Sequence, residues 1–497
     1  MSRGAGVPVV LTADRTLMAD HRTLFGGMVA VSQTTTTPRP IVTRLLAPRS
    51  RRPLAPLGLR RVEAALVTDG FARAEVAIVP AEDLAEVIGP ATRIIGVSAG
   101  EARGLGMNST TMTAIAGGEI YPRRLVRELA GRIDALRSRA PEARVVLGGP
   151  GAWQLVQDEG LRRDLGIDHV MPGQVEGNVA EVFHALAEGR ALAPIIDGAP
   201  TPVELIPPIR GAATMGVVEL SRGCGLGCRY CVMGGVPMRH LPRATILADV
   251  ETNLAAGLTS IAAISEDMLR YGSAGRALDP EALLAVLREI RALPAVRLIQ
   301  TDHANVISVA AYSDEQLREL RALMVGNSGC RFPWLNLGVE TPCGELLARS
   351  GSAKLGGVDP DAWGEFCALQ LRRLIAAGFM PMASLMLRLP GETADHVRAA
   401  LAWVEGLARE PLTIFPMLYA PIDGGEVPGR SDLTRLHWRL IDRCYDVNFR
   451  EVPRMYWDNQ AAAGVPVAQR LILQALGRGQ VLVWRSLFAW HSRRASA

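Results

Sequence analysis

From about residue 41 to about residue 190, short apolar and β-branched runs alternate with longer stretches of helical periodicity. Ile41-Val42-Thr43-Arg44-Leu45-Leu46 reads as the first strand, and a helical pattern runs from Leu57 to Leu66. Further strands read at Glu75 to Val79, Arg93 to Ser98, Arg144 to Gly149 and His169-Val170-Met171, with a helix around Pro122 to Ala140. Fully apolar strands separated by helices imply a parallel sheet covered on both faces. The expectation is a doubly wound α/β domain, a class that binds ligands outside the carboxyl ends of its strands. Ahead of it, Thr34-Thr35-Thr36-Thr37-Pro38-Arg39-Pro40 reads as an extended connector, which sets residues 1–40 apart as an N-terminal extension.

A proline-rich linker, Ala199-Pro200 to Pro207-Pro208, ends the first series. A second begins at Gly216-Val217-Val218-Glu219-Leu220, with strands at 260–264, 296–300, 335–339, 381–387 and 413–417. Six strand–helix units predict a partial barrel rather than a full one of eight. From about Ile422 the chain reads as helical and concentrates Trp438, Tyr445, Tyr456, Trp457, Trp484 and Trp490. Most of these are expected in the core, with a minority closing the barrel mouth.

Composition narrows the class. Hydrophobic residues at 48% and charged residues at 21% belong to a folded globular chain. Lys+Arg 54 against Asp+Glu 50 gives no basic stripe, so no nucleic-acid partner is expected. No apolar run of about 18 residues reads as a membrane span, and Met1 to Gly27 lacks a signal-peptide pattern. Seven cysteines, an odd number, do not make a disulfide framework. The expectation is a cytoplasmic protein with reduced thiols and no membrane partner.

Glycine-bearing segments follow three of the predicted strands: Ser98-Ala99-Gly100, Gly148-Gly149-Pro150-Gly151 and Gly173-Gln174-Val175-Glu176-Gly177. Glycine there admits a large flat or phosphorylated ligand, or simply makes a tight turn. No GxGxxG fingerprint opens the domain, which disfavours NAD. The strongest signal is Cys224-Gly225-Leu226-Gly227-Cys228-Arg229-Tyr230-Cys231, directly after a strand. Three thiolates so spaced suit three corners of an iron–sulfur cube and leave one iron open. A zinc site is the alternative, but Cys330, Cys343, Cys367 and Cys444 are scattered and read as buried apolar residues.

C-x3-C-x2-C with an aromatic before the last cysteine resembles the radical S-adenosylmethionine (SAM) superfamily. The resemblance implies a [4Fe-4S] cluster on Cys224, Cys228 and Cys231, SAM on the open iron, adenine near the backbone of Tyr230, and an electron donor as partner. Leu337-Gly338-Val339-Glu340-Thr341 is similar to the family's fifth-strand motif, although it is only the fourth strand read here. Glu340 is thereby a candidate for a SAM ribose or substrate contact. Ser384 to Thr393, with Arg388, is similar to the segment passing near adenine. A doubly wound domain ahead of such a barrel resembles the cobalamin-dependent radical SAM methylases. That likeness implies cobalamin held by residues 41–198 through Ser98, Gly148, Gly149, Pro150, Gly173 and Glu176, although the last loop usually reads Gly-Glu-x-Glu. Residues 199–213 are then the linker, 214–420 the partial radical SAM barrel and 421–497 the helical C-terminal domain. No Asp-x-His-x-x-Gly motif is present, which fits a base-off cofactor. Arg60 and Arg61 are candidates near its lower face, or else a solvated surface pair.

The family's Gly-Gly-Glu after the second strand is absent; Ile264-Ser265-Glu266-Asp267-Met268 stands there. This departure resembles the tryptophan 2-C-methyltransferase group, in which a carboxylate is thought to occupy the open iron. By that likeness Glu266 is the ligand; alternatively Glu266 or Asp267 meets the SAM ammonium. The implied activity moves a methyl group from SAM via methylcobalamin to a carbon atom of a small-molecule or peptide acceptor, such as an indole. His303, at a strand end, is the candidate general base. Two rival readings stay open: a cobalamin-dependent rearrangement or cyclisation without methylation, and a zinc-binding interaction protein.

Overall fold

Two parallel sheet systems followed by long helices make up the computed structural model, which describes residues 4–495 except 274, 276, 423 and 424. The first sheet has five parallel strands: β1 (Val9–Ala13), β2 (Val76–Ile78), β3 (Ile94–Ser98), β4 (Arg144–Gly148) and β5 (His169–Val170). Their order is β2-β1-β3-β4-β5. The direction of winding reverses between β1 and β3, which makes that edge a topological switch point. Side chains alternate between two cores: Val9, Leu11 and Ile94 face one, while Val10, Ile95 and Val97 face the other.

Here the structure corrects the reading of the first residues. Strand β1 lies inside the supposed extension, whereas Ile41 to Leu46 is helical. Pro8 discourages a strand reading, yet it precedes the first ladder residue and gives its carbonyl to Ile94 N–H at 3.1 Å. Pro40 lies in the first turn of the 39–41 helix, where a fixed φ favours helix over the β-branched preference of Ile41 and Val42. The polar stretch at 34–37 is tied down as well, with Thr35 N–H donating to Glu119 O at 2.8 Å.

Helices α1 (Leu24–Val31), α2 (Leu57–Thr68) and α3 (Met107–Ala116) belong to this half of the chain. The second half forms an arc of two parallel sheets. One contains β6 (Val217–Glu219), β9 (Ser260–Ile264) and β10 (Leu298–Thr301); between β6 and β9 come the antiparallel hairpin strands β7 (Ser221–Arg222) and β8 (Arg239–His240) and then α4 (Arg243–Ala255). The other contains β11 (His303–Asn305), β12 (Trp334–Glu340), β13 (Met380–Leu387) and β14 (Thr413–Leu418). Only Asp302 separates β10 from β11, so one bent strand joins the sheets. His303 to Asn305 is therefore the strand that the sequence pattern missed. Setting the hairpin aside, the Glu340 strand is fifth in chain order.

Helix α5 (Gly344–Gly351) follows β12, and the chain closes with α6 (Arg435–Ala462) and α7 (Val467–Arg494). Trp438, Tyr445 and Phe488 bury their rings between these last two helices, while Trp490 stays exposed. No helix among the described residues is long and apolar enough to cross a membrane.

Arg60 and Arg61 are not a solvated surface pair. Both lie buried on α2. Arg60 donates to Ala212 O at 3.0 Å and pairs with Glu63 at 2.9 Å. Arg61 pairs with Asp249 of α4 at 2.5 Å and donates to Pro207 O at 3.0 Å. Truncating Arg61 strands the Asp249 carboxylate, whose side chain has no exposed surface. Arg61→Ala is expected to lose about 3–5 kcal/mol of stability, read as a fall in the urea midpoint, and a loss below about 1 kcal/mol would contradict this ion pair.

Candidate active site

The cysteine loop springs from the β7–β8 hairpin, whose stem is fixed by the Ser221–His240 and Arg222–Arg239 ladder pairs. Gly223, Gly225 and Gly227 all have left-handed φ, +80°, +70° and +73°, which side-chain-bearing residues adopt only at a cost. Cys224 N–H donates to Val236 O at 3.0 Å and Gly227 N–H to Gly234 O at 2.8 Å, folding the loop on itself. Arg270 clamps it from outside through the Cys224 carbonyl at 2.7 Å. Arg229 N–H donates to Ser350 O at 3.0 Å, docking the loop on α5. Gly351 makes that docking feasible, since a Cβ there would lie 3.2 Å from Cys228 Sγ.

A cavity of about 1180 Å³ opens before this loop. Its walls come from α1, α3, strands β11 to β14, α6 and α7. Cys224, Cys228, Cys231, Tyr230, Glu266, His303 and Glu340 all line it. Residues chosen from four separate segments thus share one space. The donor set fits an iron–sulfur cube. Among the described residues no three His, Cys, Asp or Glu side chains converge on one ion position, as the ligands of a single zinc ion do. A cube, by contrast, spreads its thiolates over separate corners. Burial raises the Cys224 and Cys231 thiols above their ordinary range, and metal ligation would hold them ionised.

Glu266 lines the cavity and Asp267 does not, although each keeps one buried oxygen without a partner. Asp267 is fully buried and accepts from Asn305 Nδ2 at 2.9 Å and Ser308 Oγ at 2.6 Å. Glu266 points into the cavity, and its buried Oε2 has no protein partner. Burial pushes its carboxyl up to about 7, with Glu219 adding to the rise and Arg222 opposing it. The Tyr230 hydroxyl is likewise buried without a partner. Unsatisfied buried polar atoms on a cavity wall are the groups a ligand would satisfy.

His303 sits with Nδ1 3.0 Å from Asp302 Oδ2 and Nε2 2.8 Å from Asn336 Nδ2. Its side chain is half exposed to the cavity, whose enclosure alone would lower its pKa, but Asp302, Glu266 and Glu340 outweigh that and raise it. Glu340 has a left-handed φ of +65° at the end of β12, a strained position for a side-chain-bearing residue. It pairs with Lys354, which is also buried and lines the cavity. Gly338 leaves room for this pair, since a Cβ there would strike both side-chain ends. Sequence reading missed Lys354. The signal was present: it is the only lysine in a chain with 54 basic residues.

Other expected contacts fall elsewhere. Arg388 is exposed and outside the cavity, and its backbone N–H donates to Glu392 at 2.9 Å. Glu176 is paired with Arg222 at 2.6 Å, bridging the first sheet's loop to the stem of the cysteine hairpin. Ser98, Gly148, Gly149 and Pro150 lie at the carboxyl edge of the first sheet, outside the cavity. A Cβ on Gly149 would meet Ser98 Oγ at 2.6 Å, so these two loops pack on each other. Gly173, by contrast, has open space before it. Of the scattered cysteines, Cys330, Cys367 and Cys444 are buried as expected, and Cys343 is half-buried.

A parallel α/β arc with a cysteine loop at one end is a fold that this chain shares with a solved radical SAM methyltransferase. It is similar to the radical S-adenosylmethionine methyltransferase TsrM from Kitasatospora setae, solved with tryptophan substrate and a SAM analog. The TM-score is 0.55 at 17% identity, covering 83% of this chain and 75% of that one. In sequence it is similar to the ribosomal protein uS12 methylthiotransferase RimO of Cereibacter sphaeroides, 26% identical over 195 residues, and of Leptospira biflexa, 23% over 211. The matched region is 38% of each chain in the first case and 42% in the second, well under half of those relatives' length. No protein-family model matches the chain.

The Cys224→Ala, Cys228→Ala, Cys231→Ala triple variant is expected to lose its iron and visible absorbance after anaerobic reconstitution. Full iron retention would refute the assignment of these thiols.

Proposed function

We propose that this chain is a cobalamin-dependent radical SAM C-methyltransferase, acting on a carbon atom of a small-molecule or peptide acceptor such as an indole. The observation that carries the reading is the meeting of three free thiols, the unpartnered Glu266 and Tyr230 groups, the Glu340–Lys354 pair and His303 on one cavity. At about 1180 Å³ it exceeds the roughly 300–1,000 Å³ of a single small-molecule pocket. It therefore has room for SAM and an acceptor together.

In this reading residues 214–420 act as the partial radical SAM barrel, with Cys224, Cys228 and Cys231 holding a [4Fe-4S] cluster. Glu266 would hold the open iron, which would leave SAM as methyl donor alone. Lys354 and Glu340 fix the charged and hydroxyl groups of SAM, and Tyr230 borders the adenine. Cobalamin, when bound, would supply methyl-transfer chemistry through a strongly nucleophilic cobalt. Its support is the sheet order β2-β1-β3-β4-β5, with a switch point between β1 and β3 and open space before Gly173 in the loop after β5. His303, oriented by Asp302, removes the proton from the acceptor carbon. An external electron donor keeps the metal centres reduced.

Two expectations follow. Lys354→Met leaves Glu340 buried without its countercharge, so SAM affinity should fall about tenfold or more, with partial recovery in Lys354→Arg. Unchanged SAM binding by equilibrium dialysis would remove Lys354 from the site. In the second, an anaerobic assay with methyl-labelled SAM should deliver label to product with one S-adenosylhomocysteine per turnover and little 5′-deoxyadenosine. Substrate-dependent, stoichiometric 5′-deoxyadenosine would sink the role of Glu266 as iron ligand, and unlabelled product would favour rearrangement or cyclisation.

A further inference from the structure

We infer that an arginine-lined recess beside the cavity binds the anionic end of the acceptor, a carboxylate or phosphate, while its apolar body lies against the cavity wall. The recess, of about 440 Å³, is lined by Arg331, Phe332, Pro453, Arg454, Trp457, Gln474 and Arg478. Pro453, Gln474 and Arg478 also line the main cavity, so the two spaces share a wall. Pro453 interrupts the interior of α6, removing one helical donor where the recess forms.

Charge gives the ligand's sign. Three arginines line the recess and no carboxylate does. Arg331 and Arg454 are anchored from behind by Asp458 at 3.2 Å and Glu451 at 3.0 Å. Each guanidinium also lies 5.4 Å from the Phe332 ring. These anchors fix direction without using all five N–H donors of an arginine. Arg478 has no ion pair among the described residues. Residues 467–497 contain no Asp or Glu at all, so nothing on α7 competes for it. The negative groups of the cavity, Glu266 and Glu340, sit with the cysteines, while the wall towards the recess carries Phe415, Phe449, Val452 and Tyr456. An acceptor with an apolar ring and one acidic terminus matches this polarity. The planar arginine fork suits carboxylate and phosphate alike.

This inference rests on the proposed function only in taking the acceptor as the ligand, and binding tests it without turnover. Equilibrium dialysis of the full, iron-loaded chain would compare indole-3-acetamide, indole-3-acetate and indol-3-yl phosphate. At least one anion should bind about tenfold or more tightly than the neutral amide, and which anion is preferred distinguishes carboxylate from phosphate. The advantage should drop below about threefold in Arg478→Gln and vanish in Arg331→Gln/Arg478→Gln. Both positions are exposed, so the fold should survive, checked by circular dichroism. Equal binding of amide and anions, no binding of any, or an advantage that survives the double replacement would overturn the recess. Label transfer from SAM with no anion preference would overturn this inference alone. Anion preference without label transfer would overturn only the proposed function.

Discussion

Arg222 is the residue on which the site's placement depends. It stands one residue before Gly223, where the cysteine loop leaves the hairpin. Its guanidinium pairs with Glu219 of β6 at 2.8 Å and with Glu176 of the first sheet's loop at 2.6 Å. Glu219 lies 4.0 Å from Arg61, which pairs with Asp249 of α4. A buried chain of alternating charge thus runs from α4 through α2 and β6 to the loop after β5. Burying such charges is costly, and apolar residues of similar volume would often stabilise the core as well or better. What the chain supplies is direction: five charges paired by one relative placement of sheet and hairpin, and by no sliding of one past the other.

That constraint explains which residues face the cavity. With the hairpin stem held, the loop docks on α5, and Cys228 comes to rest against Gly351. Polarity then divides along the cavity. Ionisable groups gather at the cysteine end, and Met382, Phe415, Tyr445 and Tyr456 form much of the other. Helix α7 forms the outer wall there with Gly477 and Gly479 in its length, positions that weaken a helix by roughly 1 kcal/mol each.

Contiguity decided what the sequence made legible. The cysteine loop is a local pattern and could be read without any knowledge of packing, and so could the parallel strands from 75 to 98 and from 380 onward. Features made by distant residues were not legible. Arg61 reads as an exposed helical charge until Asp249, 188 positions away, is brought against it. Lys354 meets Glu340 only because the chain turns back after α5, and β1 was hidden by the proline at its threshold. The third barrel position misled in another way. A strand that bends at Asp302 leaves one sheet and enters the next, and a pattern of apolar residues carries no mark of such a bend.

The neighbouring acids Glu266 and Asp267 show how the arc assigns roles to residues that a sequence cannot tell apart. They follow β9 in the turn that leads into the helical turn at 268–270, and there their side chains enter different surroundings. Asp267 is taken up by Asn305 at the end of β11 and Ser308 just beyond it. Because β11 begins at His303, the same two bonds that immobilise Asp267 also anchor the segment presenting His303. Glu266 faces the cavity with one oxygen unpartnered and a carboxyl pushed up to about 7 by burial. A carboxylate in that condition gains from any cation brought into the cavity, since ionisation and ligation then proceed together. The buried aspartate positions the frame, and the glutamate beside it remains free for chemistry.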